Sequence, residues 1–227
     1  MSEGHTRILP IRALDLSMGW AGPLVTQILA EMGAEVIKVE DTEHFDWWRG
    51  STSMAAAEMQ PIERSPTFNA TNRGKLGLTL DLNSARGVAI LKKLVAISDM
   101  LVENFSVGVM ERLGAGYEEL SRINPRLVMM SMPAFGAGGP ESGYRGYGMT
   151  IEAMSGITGL CGYHDGDSPY MLSNALGDPV SGLSGALAAL AALHERQRTG
   201  LGHAHGPGGV EGHGLGVIRR TYPDPSD

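Results

Sequence analysis

Residues 11–40, IRALDLSMGWAGPLVTQILAEMGAEVIKVE, decide the fold of this chain. Residues 11–16 are a short apolar run typical of a strand, and Gly22-Pro23 then opens a segment with helical spacing. The apolar residues of that segment are Leu24, Ile28, Leu29 and Met32. Gly33 ends the helix, and residues 35–40 form a second strand. This order predicts a βαβ unit with two parallel strands and a right-handed crossover.

The same alternation of strand and helix continues as far as residue 132. The pattern predicts strands at residues 78–82, 99–103 and 127–132, and helices at residues 85–97, 109–113 and 117–123. Either Asn83 or Ser84 can cap the first of these helices. Residues 41–71 lack periodicity and are predicted to run over the surface. The sequence therefore predicts a doubly wound α/β domain around a parallel sheet.

Two segments after residue 132 have distinctive compositions. Residues 135–148, FGAGGPESGYRGYG, are rich in glycine, so the backbone could approach a ligand closely there, although an ordinary loop is an equal reading. A short helix is predicted at residues 149–158. Residues 179–198 form a long helix rich in alanine and leucine, whose apolar faces imply burial.

Composition excludes several classes of protein. The 227 residues carry 18 Lys and Arg against 25 Asp and Glu, a net charge of −7, which argues against a nucleic-acid partner. The longest uncharged stretch near a helix, residues 179–193, is shorter than the roughly 20 apolar residues of a membrane span. The single Cys161 excludes an intrachain disulfide and suits a reducing compartment. We expect a cytoplasmic protein that has no contact with a membrane.

Six motifs stand in a recognisable order along residues 14–202. They are LDLSMGWAGPLVTQILAEMGAEVIKVE (14–40), NRGKLGLTLDL (72–82), DMLVENF (99–105), ERLGAGYEELSRINPRLVMMSM (111–132), GDPVSG (177–182) and HERQRTGLG (194–202). Together they resemble the family III CoA-transferases, which include formyl-CoA transferase, carnitine-type CoA-transferases and α-methylacyl-CoA racemase. The resemblance implies an open Rossmann-like domain that binds coenzyme A, and a homodimer whose two chains interlock. It implies no tightly bound cofactor, because CoA and acyl-CoA are the substrates.

The resemblance identifies Asp178 as the nucleophile of a CoA-transferase. A carboxylate suits the transfer of CoA between two carboxylic acids, because it can accept the acyl group and then hold CoA as a thioester. From spacing alone, Asp178-Pro179 is also what a helix N-cap followed by a proline looks like, and that interpretation is the more common one. A helix N-terminus would serve both roles, since it stabilises a carboxylate.

Tyr147 bears on the choice between two reactions of the family. At this position the racemases carry a histidine that exchanges protons with the substrate. A phenol with a pKa near 10 is a poor general base at neutral pH, which favours the transferase over a racemase or related isomerase. A tyrosine that only packs against its neighbours remains the other interpretation.

The resemblance also implies a set of CoA contacts. These are Trp20, Ala21, Leu80, Asp81, Leu82, Asn83, Asn104, Phe105, Ser106, Arg112, Arg145 and Tyr147. Arginines such as Arg112 and Arg145 can pair with phosphate oxygens, although solvated surface arginines are common. No G-x-G-x-x-G follows the first strand, so a dinucleotide is not indicated.

Residues 200–227 depart from the family. Family members continue with a further strand, a helix and a second domain, whereas this segment is rich in glycine and histidine. We expect a CoA-binding large domain at residues 1–199, incomplete at its C-terminal end, and an irregular tail at 200–227 that a frameshift or other non-native ending would explain. No metal site is predicted from His203, His205 and His213. A CoA-binding fragment or non-catalytic partner subunit is the third hypothesis for function.

Overall fold

A computed structural model of the chain describes residues 8–50, 63–166, 169–170 and 175–205. Its strands are Arg12–Asp15 (β1), Glu35–Glu40 (β2), Leu76–Thr79 (β3), Met100–Glu103 (β4), Val128–Ser131 (β5) and Ala204–His205 (β6). Its helices are Ala21–Glu31 (α1), Pro66–Thr71 (α2), Ala85–Val95 (α3), Val109–Arg112 (α4), Tyr117–Ile123 (α5), Gly148–Met154 (α6), Ile157–Leu160 (α7) and Gly177–Thr199 (α8). A short 3-10 helix lies at Trp47–Gly50.

The six strands form one sheet in the order β3-β2-β1-β4-β5-β6, and all neighbours are parallel. This is the strand order of the doubly wound Rossmann fold. Leu14 in β1 stands opposite Ile37 in β2 and Leu101 in β4. The direction of strand addition reverses between β1 and β4, so the loops after these two strands diverge and leave a crevice at their carboxyl ends. The α/β fold with a parallel sheet is confirmed.

Helices cover both faces of the sheet, and the central strands carry buried apolar residues on both faces. On one face α1 and α8 pack over Ala13, Val36 and Val102. On the other face, residues of α3 and α5, including Leu91 and Leu120, pack over β1 and β4.

Glycines allow α8 to press directly on α1. A Cβ at Gly182 would lie 2.8 Å from Leu24 Cδ2, and one at Gly185 would lie 2.8 Å from Val25 Cγ2. Both distances are shorter than real Cβ contacts, so only glycine permits this approach. The contact fixes α8, and with it Asp178, relative to the strand-to-helix turn after β1.

Several segments differ from their predicted limits. Strand β3 spans Leu76–Thr79 rather than 78–82, which leaves residues 80–83 in the loop at its carboxyl end. The predicted helix at 149–158 is two helices, α6 and α7, separated at Gly156, whose φ of +83° a longer helix cannot contain.

Two further differences concern the predicted loops. The segment after β2 was expected to run over the surface, yet Asp46 within it is fully buried and Phe68 nearly so. At the other end, Ala204–His205 pair with β5, inside the range expected to be irregular. Residues 206–227 lie outside the described residues, so the domain boundary at residue 199 stays a prediction. No helix among the described residues is long and apolar enough to cross a bilayer.

Candidate active site

The loop after β1 is held at the crevice by two side chains from other segments. Asn104, which follows β4, accepts from the backbone N–H of Met18 and donates to its carbonyl, both at 2.8 Å. The N–H of Gly19 donates to Asp46 Oδ1 at 3.0 Å. Because Asn104 and Asp46 both bind main-chain groups, they fix the backbone that leads from β1 into α1 at the crevice.

A buried ionic network lies beneath this loop. Lys75 Nζ donates at 2.8 Å to Asp15 Oδ2, the Pro23 carbonyl and Asn72 Oδ1, so its three protons are all engaged. Lys38 lies 3.2 Å from Asp46 and 3.9 Å from Asp15.

Two members of the network, Asp15 and Lys75, have shifted pKa values. Burial alone would raise the pKa of Asp15, but Lys38 and Lys75 outweigh it and hold that pKa well below its usual range. Burial lowers the pKa of Lys75, and the charge of Asp15 opposes the shift. These ions are engaged with one another and with the backbone, so we assign them to the support of the loop.

An aromatic cluster borders the crevice. Trp20 contacts Trp48 at 5.5 Å between ring centroids, Trp47 contacts Trp48 at 5.7 Å, and Trp47 meets Tyr147 edge to face at 5.8 Å. Gly19, at φ +75°, allows the approach, since a Cβ there would lie 2.6 Å from the Trp47 ring. Trp47 is 51% exposed and Tyr147 66% exposed, so the cluster presents an open aromatic surface.

Asp178 lies in the first turn of α8, where the helix begins at Gly177 and Leu176 occupies the N-cap position. Asp178 is therefore not the N-cap, and the capping interpretation of Asp178-Pro179 is wrong in its position. Instead, the Asp178 carboxylate accepts the backbone N–H of Gly148, the first residue of α6. A Cβ at Gly148 would lie 3.0 Å from Asp178 Oδ2 and 2.5 Å from the Ala175 Cβ, so glycine is required for this contact.

The surroundings of Asp178 make its carboxylate more basic than usual. Burial raises its pKa most strongly, the N–H of Gly148 lowers it, and the negative charge of Glu152 raises it again. The net direction is upward. A carboxylate that is poorly solvated, yet held by one backbone donor at a helix N-terminus, has the character expected of a nucleophile.

Two adjoining cavities lie at the carboxyl ends of β2, β3 and β4. The first, of about 170 Å³, is lined by residues that include Leu80, Leu82, Asn83 and Phe105. The second, of about 410 Å³, shares Leu82 and Asn83 with the first and adds Arg112. We call the pair the strand-end groove. Five of the expected CoA contacts thus line one continuous surface.

The other expected contacts lie around this groove or apart from it. Asp81 is exposed at its rim, where its carboxylate accepts the N–H of Asn83 at 2.8 Å. Ser106 lines a separate cavity of about 100 Å³ with Phe105. Arg145 is exposed and lines neither part of the groove.

The remaining positions belong to the crevice and to α6. Trp20 and Ala21 stand at the start of α1, where Trp20 joins the aromatic cluster. Asn104 binds the β1 loop rather than opening into the groove. Tyr147 links the aromatic cluster to the Gly148–Asp178 contact.

The sequence patterns did not single out three residues that shape the site: Asp46, Trp47 and Glu152. Glu152 had a signal, because it is one carboxylate within the otherwise uncharged run GMTIEAMSG. Asp46 had none, since its burial depends on how residues 41–50 fold back onto Lys38. Among the described residues no group of His, Cys, Asp and Glu could hold a metal ion.

Comparisons with known proteins identify the family of the chain. The model of CoA-transferase family III matches residues 10–204. Succinyl-CoA--D-citramalate CoA-transferase of Chloroflexus aurantiacus is 38% identical over 89% of this chain and 49% of its own length. Acetyl-CoA:oxalate CoA-transferase of Acetobacter aceti is 38% identical over 83% of this chain and 47% of its own length.

A solved structure shows the same fold. The crystal structure of a CAIB/BAIF family protein from Brucella suis superposes with a TM-score of 0.82, at 34% identity, over 95% of this chain and 56% of that one. The chain spans about half the length of the curated relatives it matches. On the family match and on these relatives, the chain belongs to CoA-transferase family III.

Proposed function

We propose that this protein transfers coenzyme A from an acyl-CoA donor to a carboxylic acid acceptor, with Asp178 as the nucleophile. The observation that carries the proposal is the placement of Asp178: it is mostly buried, it lies in the first turn of α8, and it accepts the Gly148 N–H. The curated relatives named above carry CoA-transferase names, and this supports the reaction class.

The chemistry needs no redox partner and no net proton transfer. A carboxylate oxygen of Asp178 attacks the thioester carbonyl of the donor, and the CoA thiolate leaves, which forms a mixed anhydride. The thiolate then attacks the aspartyl carbonyl and releases the donor acid, so that CoA is held on Asp178 as a thioester. The acceptor carboxylate attacks this thioester, and the released thiolate attacks the acceptor side of the new anhydride. New acyl-CoA is produced and the Asp178 carboxylate is restored.

The site supplies what these steps require. The amides at the N-terminus of α8 favour negative charge, which appears on oxygen or sulfur in every step. Water must be kept away, because it hydrolyses both the anhydride and the thioester. The aromatic surface of Trp47 and Tyr147 beside the Gly148 turn suits that task. Tyr147 stands where a racemase of the family carries its histidine, and a phenol is a weak base for proton exchange.

CoA itself would enter as a substrate and not as a resident cofactor. We propose that it binds along the strand-end groove through residues 80–83 and Phe105, with Arg112 meeting its phosphates. We also place the protein in the cytoplasm as a homodimer. The homodimer is supported by Leu183 and Leu187 on α8, which are 59% and 71% exposed and would be covered by a second copy.

The test is a transfer assay with a panel of donors and acceptors. Succinyl-CoA and acetyl-CoA serve as donors, with oxalate, glutarate and citramalate as acceptors, and new acyl-CoA is measured by chromatography. Formation of a new acyl-CoA that requires both substrates is the expected result. Exchange of solvent deuterium at the carbon next to the thioester, without transfer, would point to the racemase alternative.

A second candidate rests on the strand-end groove alone, whose lining residues do not include Asp178. On this view the chain binds CoA in the strand-end groove but does not complete the transfer by itself. Calorimetry together with the transfer assay separates the two candidates, because this one predicts CoA binding with no transfer in any donor and acceptor pair.

A further inference from the structure

Glu152 is a buried carboxylate that the proposed reaction does not use. It lies on α6, one turn after Gly148, and its side chain is only 1% exposed. Its Oε1 accepts the backbone N–H of Gly177 at 2.9 Å and also that of Leu176. These amides stand at the start of α8, immediately before Asp178.

Glu152 thus caps α8 from a different helix. The first amides of a helix have no partner within it, and no side chain of the N-cap residue supplies one here. Residues four apart in a helix share one face, so Gly148 and Glu152 both contact the first turn of α8. Gly148 donates to the Asp178 side chain, while Glu152 accepts from the backbone that carries it.

We propose that Glu152 is a positioning residue for Asp178, which fixes the first turn of α8 through its two amides and places a buried negative charge beside the nucleophile. This inference rests on the proposed function. A neighbouring negative charge disfavours the ionised carboxylate. Once Asp178 is acylated, as anhydride or thioester, it no longer carries charge, and the repulsion is relieved. Glu152 therefore favours the covalent forms relative to the free carboxylate.

The electrostatic setting of Asp178 is simple enough to test. Among the described residues, the groups that act on it are Glu152 and the Gly148 N–H, both from α6, and the amide end of its own helix. Both this charge and burial raise the pKa of Asp178. Removal of the charge alone should therefore lower that pKa and leave the cap in place.

The informative variant is Glu152→Gln in the full chain, because glutamine keeps an oxygen that can accept both amides but carries no charge. We expect thioester formation to slow by about tenfold, with KM for the donor unchanged within about twofold. Glu152→Ala, which also removes the cap, should lose more and should lower the melting temperature. Glu118→Gln, an exposed carboxamide substitution on α5, is the matched control and should change neither quantity.

A second readout does not depend on turnover. The carboxyl carbon of Asp178 is followed by ¹³C NMR against pH, with its signal assigned from Asp178→Asn. The titration should move to lower pH in Glu152→Gln and stay in place in Glu118→Gln. An unmoved titration in Glu152→Gln would overturn the inference, whether or not the wild type forms a thioester. If the wild type forms none while the titration moves, the electrostatic coupling between Glu152 and Asp178 stands and the proposed function fails.

Discussion

The contact between Gly148 and Asp178 gives the sharpest mutational prediction. A Cβ at residue 148 would lie 2.5 Å from the Ala175 Cβ and 3.0 Å from Asp178 Oδ2. To restore the first distance to the 3.4 Å at which ordinary contact begins, the turn before α8 must move by about 0.9 Å. The obstruction arises from space and not from backbone strain, because Gly148 is not among the glycines with positive φ.

Gly148→Ala should slow thioester formation strongly and lower the free energy of unfolding by a smaller amount. A misplacement of about 1 Å of a reacting group can lower a rate by about 100-fold, equivalent to about 2.7 kcal/mol in the barrier. Overpacking costs typically about 1–3 kcal/mol, and alanine recovers about 0.5–1 kcal/mol as a better helix residue. We therefore expect a folded protein with about 1% of wild-type thioester formation.

The assay is the rate at which enzyme-bound CoA thioester appears, measured in a single turnover alongside the melting temperature. Gly143→Ala is the matched control, because it lies in the same loop and a Cβ there meets nothing within 4 Å. It should keep wild-type activity. A Gly148→Ala protein that forms the thioester within about threefold of the wild-type rate would refute the placement of Asp178 against this glycine.

Three further substitutions test other parts of the account. Asp178→Asn should abolish the thioester yet raise the melting temperature at pH 7. Because the pKa of Asp178 is raised in the folded protein, its ionised form destabilises the fold above about pH 4. The increase in melting temperature should therefore vanish as the pH falls to about 4. Lys75→Met should cost about 3–5 kcal/mol in urea unfolding, because it leaves a buried carboxylate without its closest cation, whereas exposed Lys93→Met should stay within about 0.5 kcal/mol. A loss below about 1 kcal/mol for Lys75→Met would contradict that role. Arg112→Ala should weaken CoA binding by about 10- to 100-fold in calorimetry, whereas Arg198→Ala, on the last turn of α8, should leave it unchanged. If Arg112→Ala binds CoA as tightly as the wild type, Arg112 does not contact the CoA phosphates.

The fold could be predicted because its signals are local. The run EVIKVE coincides with β2, and Tyr117–Ile123 has the predicted limits of α5. Ser84 caps α3 as expected, since its side chain accepts the Gly87 N–H at 3.0 Å. These features depend on residues a few positions apart, which is what sequence patterns report.

The site depended on contacts that no local pattern reports. Asp178-Pro179 looks like a cap and a first helical residue, yet the helix begins two residues earlier, at Gly177, where Glu152 accepts the first amides from α6. Asp46 is buried because Lys38 and the Gly19 amide lie across the crevice from it. In both cases the deciding partner lies on another element of the fold.

The most direct test of the central claim is peptide mapping of the protein after incubation with an acyl-CoA donor and rapid acid quenching. Mass spectrometry should find CoA on the peptide that contains Asp178, released by hydroxylamine and absent from Asp178→Asn. Covalent CoA on a different carboxylate, or transfer activity that persists in Asp178→Asn, would contradict the assignment of Asp178 as the nucleophile.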